Sequence, residues 1–254
     1  MTRLVPEASA VVSLVPSITE TLLSWGIRPA AVTRFCAAPG LPTVGGTKTP
    51  DVPAIIAMSP DLVLMDAEEN RVEDAEALRQ AGVRVHATRV RCFADVGSTL
   101  RQLWNVLGHP DPGPADGRPD GSVSYPNDAT SPGATGEGGW AEPRVWVPIW
   151  RRPWMSIGGD TYGSSLLAES GLRNVLATSD VPYPTTTIEE AAACTPDFVL
   201  APSEPYPFSE RHRDELEKVA PVVFVDGQDL FWWGARTPAA LVRLRRLAAT
   251  LGPR

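Results

Sequence analysis

Short apolar runs alternate with amphipathic segments along most of the 254-residue chain. In the first part, Ala10–Val15 reads as an apolar strand, and Ser17-Ile-Thr-Glu20 as a capping box opening a helix that reaches Trp25. There follow a strand near Ala30–Thr33, a helix over 50–58, a strand at Leu62–Met65 and a helix at Glu69–Ala81. A strand at Val83–Ala87 and a helix at Ala94–Leu107 complete this part. In the second part, strands are expected at Val145–Ile149, Asn174–Leu176, Phe198–Ala201 and Val222–Val225. Helices are expected at Tyr162–Ser170, 187–194, Ser209–Val219 and Pro238–Leu251. Short apolar strands alternating with helices fit parallel sheets covered on both faces, so the pattern predicts an α/β fold built twice.

The two parts also echo each other in sequence. Met58-Ser-Pro-Asp-Leu-Val-Leu64 is matched by Cys194-Thr-Pro-Asp-Phe-Val-Leu200, each following a short helical run. Thr49-Pro50 would start the first of these helices, and the capping box Thr187-x-x-Glu190 the second. Pro-Asp then ends the helix and launches the strand.

Composition shifts sharply once. Residues 109–143 hold seven Gly and seven Pro in 35 residues, with too little apolar surface to offset ordering entropy. This stretch is expected to be a largely disordered linker between an N-terminal lobe at 9–108 and a C-terminal lobe at 144–254. The other reading is a surface insertion in one domain.

A net charge of −7 makes sequence-independent nucleic-acid binding or docking on an anionic membrane unfavourable. Nothing approaches the roughly 18 apolar residues of a membrane span, so no membrane insertion is expected. Cys36, Cys92 and Cys194 are too few and scattered for a disulfide framework, and His86, His109 and His212 have no ligand-like spacing. His212 falls on a charged helix, and Cys92 and Cys194 read as buried thiols. With no signal-peptide pattern in Met1–Glu7, the chain reads as cytoplasmic, or as exported if the true start lies upstream.

Ligands of open α/β sheets bind beyond the carboxyl ends of the strands. Those positions carry Pro16-Ser17, then Asp66, Glu68, Glu69 and Asn70, then Trp150-Arg-Arg-Pro-Trp154, then Ser203–Phe208, and finally Asp226–Arg236. Trp150, Trp154, Trp232 and Trp233 fall on predicted loops, where they would either form a stacking wall for a large planar ligand or pack a small loop core. Nucleophile-elbow, zincin and Walker A motifs are absent, and Gly158-Gly159-Asp160-Thr161 reads as a turn capping the next helix.

Val12-Ser-Leu-Val-Pro-Ser-Ile-Thr-Glu20, Ser59-Pro-Asp-Leu-Val-Leu64 and Pro196-Asp-Phe-Val-Leu200 resemble the class III periplasmic-binding-protein superfamily. This is the helical-backbone metal-receptor group, which includes cobalamin- and iron-siderophore-binding proteins of ABC importers. Phe35-Cys36, Val44-Gly-Gly-Thr-Lys48, Glu68-Glu-Asn-Arg71, Ile149–Met155, Gly158–Thr161 and Glu204–Phe208 are similar to a short, signal-less branch of it. Where that branch has a histidine before proline, this chain has Ala37-Ala38 before Pro39.

The resemblance implies two Rossmann-like lobes with parallel sheets facing across a cleft. It also implies a non-enzymatic substrate-binding protein for a corrinoid, a haem or an iron-siderophore, with no cofactor of its own. Trp150, Trp154, Trp232 and Trp233 would stack on the ligand, and Tyr206 would supply an aromatic edge. Glu69, Asn70 and Arg236 would add polar contacts, and Ser17 would sit where helix-end N–H groups meet an anionic group. Cys36 would be an axial metal ligand, and Glu68 and Glu204 would dock an ABC-importer permease. The alternatives are a cytosolic enzyme or enzyme subunit using the same cleft, and a protein-interaction module.

Overall fold

The computed structural model describes residues 10–109 and 142–252. Apart from His109, Glu142 and Pro143, the proposed linker 109–143 lies outside the described residues. The chain forms two compact units. One is built on the first half together with Trp233–Arg236, the other on the second half together with Arg91–Asp95.

In the first unit, β1 (Val11–Ser13), α1 (Pro16–Ser24), β2 (Ala31–Val32), α2 (Val52–Ala57), β3 (Leu62–Asp66), α3 (Val72–Gln80), β4 (Val85–Thr88) and α4 (Asp95–Val106) succeed one another. The strands form one parallel sheet in the order β2-β1-β3-β4. Val12, Leu14, Val63 and Met65 point from one face of it onto Ile55, Ala75 and Leu78.

Two helix starts differ from expectation. Helix α1 begins at Pro16, whose fixed φ suits a first helical position, so Ser17 lies inside the first turn and caps nothing. Helix α2 is capped by Asp51, whose Oδ1 accepts the Ala54 N–H, and not by Thr49.

The second unit runs β5 (Arg144–Trp146), β6 (Pro148–Arg151), β7 (Trp154–Ser156), α5 (Tyr162–Glu169), β8 (Arg173–Asn174), β9 (Thr185–Thr186), α6 (Ile188–Ala193) and β10 (Phe198–Pro202). A 3-10 turn (Glu210–His212), α7 (Arg213–Leu216), β11 (Val222–Val225), α8 (Gly227–Phe231) and α9 (Thr237–Leu251) follow. Its parallel sheet has the order β11-β10-β5-β8. With β5, β8, β10 and β11 set against β1, β2, β3 and β4, this is the order of the first unit.

The sequence echo has a structural counterpart. Asp61 donates its N–H to the Ala10 carbonyl and accepts the Ala10 N–H on Oδ2, at 2.9 and 2.7 Å. Asp197 does the same with Arg144, at 2.8 and 2.7 Å. Ser59 and Thr195, two residues earlier, both adopt positive φ, 48° and 49°. Each Pro-Asp corner thus reverses the chain and latches the start of the unit's central strand.

The expected strand Val145–Ile149 is in fact two strands in two sheets. Parallel pairing ends at Trp146, and the chain turns into the β6–β7 hairpin, which joins β9 in a three-stranded antiparallel sheet. Pro148 has no N–H with which to continue a ladder, which explains the break. Trp150 and Trp154 therefore stand on strands, not on loops.

Candidate functional site

In a sheet of this order, the crevice opens where the connections leave the central pair of strands in opposite directions. In the first unit that point lies beyond β1 and β3, and Asn70 fills it. Its Nδ2 donates to Thr47 O at 2.8 Å and Leu14 O at 3.4 Å, and its Oδ1 accepts the Asp66 N–H at 2.8 Å. Asp66 is buried beside it, accepting from Thr88 Oγ1 at 2.7 Å and from the Glu68 N–H at 2.9 Å. Burial pushes the Asp66 carboxyl up, while the Thr88 and Glu68 bonds pull it down. The Asn70 amide thus holds the β3–α3 loop together.

Other expected residues of this unit are also committed internally. Arg236 forms a two-pronged pair with Glu20, Nη2 to Oε1 at 2.8 Å and Nε to Oε2 at 3.1 Å. Next to it, the Ala235 N–H donates to Thr21 Oγ1 at 3.1 Å, and Gly234, at φ 117°, leaves no room for a Cβ against that hydroxyl. These contacts strap Trp233–Arg236 onto α1. Trp233 is buried at 6% exposure, not offered as a stacking surface, and Trp232 is half-buried.

Ser17 is buried, and its carbonyl accepts from Thr21 Oγ1. Cys36 is half-buried, with Thr19 Oγ1 at 3.2 Å and Thr33 Oγ1 at 3.3 Å from its sulfur. Among the described residues no cluster of three or more His, Cys, Asp or Glu could hold a metal ion. Glu68 and Glu69 are exposed on the β3–α3 turn, and Lys48 Nζ donates to the Glu68 carbonyl.

In the second unit, the segments that follow β5 and β10 contribute an aromatic assembly that packs on the core residues Val199, Ala201 and Leu216. Trp154 lies parallel to Phe208, 5.9 Å between centroids and 5° between planes, and rests on the fully buried Trp146 at 5.8 Å. Tyr206 meets Phe208 at 4.7 Å and forms a T-shaped pair with Trp150 at 5.6 Å. Trp150 is the outer member, 46% exposed.

The hairpin and the β10 connection position these rings. Both Arg152-Pro153 and Glu204-Pro205 are cis peptides, and Gly227 packs directly against Glu204, which is half-buried. Arg151 joins the two sides: its guanidinium pairs with Glu215, Nε to Oε2 at 2.8 Å, and lies against Tyr206. The sequence pointed to Trp150, Trp154 and Tyr206 here but missed three members. Trp146 and Phe208 read as strand and loop residues, and His212, expected on a charged helix, is buried.

No family model matches the chain. The vitamin B12-binding protein of Salmonella choleraesuis is 26% identical over 199 residues, spanning 76% of this chain and 72% of that protein. Among solved structures, the periplasmic vitamin B12 binding protein BtuF of Vibrio cholerae aligns with TM-score 0.73 at 17% identity, over 97% of this chain and 99% of its own. The periplasmic heme binding protein HutB of Vibrio cholerae aligns with TM-score 0.75 at 18% identity, over 95% and 99%.

The chain has the fold of the class III periplasmic-binding-protein superfamily, as its motifs indicated. The relatives are named for binding and not for catalysis. Both solved structures are described as periplasmic, which overturns the cytoplasmic expectation. That expectation rested on the first residues and on sparse cysteines, and three unpaired thiols fit either side of a membrane. No helix among the described residues is long and apolar enough to cross one.

Proposed function

We propose that this chain is a substrate-binding protein of the ABC-importer type, carrying a corrinoid or another planar metal chelate such as haem. The observation that carries the proposal is the exposed Trp150 ring, which meets Tyr206, with Phe208 and then Trp154 packed behind Tyr206. A rigid, layered aromatic surface suits a ligand that is large, flat and largely apolar. The fold resembles a vitamin B12 binder and a haem binder almost equally, so the ring system of the ligand is decided by binding and not by architecture.

In this reading Trp150 and Tyr206 contact the ligand, Trp154 supports them, and the half-buried Trp232 and exposed Glu69 supply further contacts. Cys36 is the candidate axial ligand, and Glu68 and Glu204 are the candidate contacts for the permease. The ligand is cargo, so the protein needs no cofactor. The lobes we assign are 9–108 and 144–254, apart from the exchanged segments Arg91–Asp95 and Trp233–Arg236. No observation favours the enzymatic alternative.

The test is a tryptophan-fluorescence titration with cyanocobalamin, hemin and a ferric siderophore, corrected for inner-filter absorption. Saturable quenching by one of them, weakened in Trp150→Ala, supports the proposal. No saturable change with any of the three overturns it.

A further inference from the structure

His212 lies beneath the aromatic assembly, 3% exposed. Its ring meets Tyr206 at 5.4 Å and Phe208 at 5.5 Å, both close to edge-on. Two N–H groups point at its nitrogens, that of Ser209 at Nδ1 (3.1 Å) and Arg211 Nε at Nε2 (3.3 Å). The Tyr206 hydroxyl is 3.4 Å from Nε2.

A neutral imidazole has one acceptor nitrogen and one N–H. With Nδ1 accepting from Ser209, Nε2–H can donate to Tyr206, and the only donor left unmet is the Arg211 Nε–H, which that exposed side chain can turn to solvent. An imidazolium has no acceptor, so its Nδ1–H would face the Ser209 N–H, donor against donor. The charges around the ring point the same way: Arg211 on the 3-10 turn and Arg151 from β6 are positive, while Glu215 from α7 is already paired with Arg151. Burial and these two guanidiniums hold the His212 ring below the usual histidine range.

We propose that His212 makes the aromatic platform acid-labile: uptake of one proton breaks the Ser209 contact, displaces the ring from under Tyr206 and Phe208, and weakens the hold on the planar ligand. The binding half of this statement rests on the function proposed above, whereas the coupling of His212 to Ser209 does not. Protonation costs nothing above the ordinary histidine range, and its penalty grows as pH falls below about 6.5.

The chain has only three histidines, so imidazole signals can be followed individually by NMR as pH is lowered. The Ser209 amide signal is expected to move in step with the His212 titration. Cyanocobalamin or hemin, whichever saturates the protein at neutral pH, is expected to bind about tenfold more weakly near pH 5. In His212→Asn, whose amide oxygen can still accept from Ser209 but cannot take up a proton, that loss is expected to vanish.

A Ser209 signal indifferent to His212 titration overturns the proposal, as does equal acid sensitivity in His212→Asn. Failure of cyanocobalamin, hemin and the ferric siderophore all to bind at neutral pH overturns the functional reading and the ligand release. The proton coupling is then judged by the Ser209 signal alone.

Discussion

Replacing Trp150 and Trp154 one at a time separates ligand contact from support. Taking about 250 Å² for a tryptophan, the 46% of Trp150 left exposed offers roughly 115 Å² to a ligand. At about 25 cal/mol per Å², covering that area is worth at most roughly 2.9 kcal/mol, about a hundredfold in Kd. Trp150→Ala is therefore expected to weaken binding by about ten- to a hundredfold. It should cost only about 1 kcal/mol of stability, the value of its edge contact with Tyr206. Trp154 is held between Trp146 and Phe208. Its truncation leaves a cavity, so Trp154→Ala is expected to cost about 3 kcal/mol or more of stability. Fluorescence titration and urea denaturation of both variants give the two quantities. Unchanged affinity in Trp150→Ala, with binding intact in the parent, would refute the assignment of this face to the ligand.

Asp66→Asn tests the buried acid of the first unit. A carboxyl raised in the folded state stabilises the fold below its unfolded pKa of about 3.8, and that contribution is lost as pH rises through the folded value. The variant is thus expected to gain relative to the parent between about pH 3.5 and about pH 7, because Thr88 can turn its hydroxyl hydrogen to Met65 O, 3.1 Å away, and accept from the new amide. Urea melts at both pH values that show the opposite trend would exclude this. Asp197→Ala is expected to cost about 1–2 kcal/mol by removing the acceptor of the Arg144 N–H, and Asp197→Asn well under half of that. Thermal melts of the pair decide it, and equal losses would dismiss the latch. Gly234→Ala drives a methyl into Thr21 Oγ1, so the Ala235 amide is expected to exchange faster by at least about tenfold in hydrogen-exchange measurements.

Periodicity and the Pro-Asp echo made the α/β class and the parallel sheets legible, because apolar strands buried on both faces leave a clear trace in sequence. Other features depend on partners far along the chain. Val145–Ile149 is continuously apolar, and only Pro148 hints that the ladder breaks there. His212 sits in a run of charged residues, yet Tyr206, Phe208 and Ser209 enclose it, which helical periodicity cannot register. The bonds of Asn70 to Thr47 and Leu14, and of Arg236 to Glu20, join residues far apart in the chain and leave no trace in local sequence. Trp150 was legible as a candidate because it follows the apolar run Val145–Ile149, although the structure places it within β6 and not on a loop.

Each compact unit is completed by a strap from the opposite half of the chain. Trp233–Arg236 docks on α1 through Thr21 and Glu20. Arg91–Asp95 docks on the second unit, where Arg91 pairs with Asp160 and the Phe93 N–H donates to Ser165 Oγ. A duplicated architecture invites shuffling of its halves, but this reciprocal loan resists it. A half spliced into another chain would arrive without the piece that closes it, and it would leave its own strap behind with nothing to fasten.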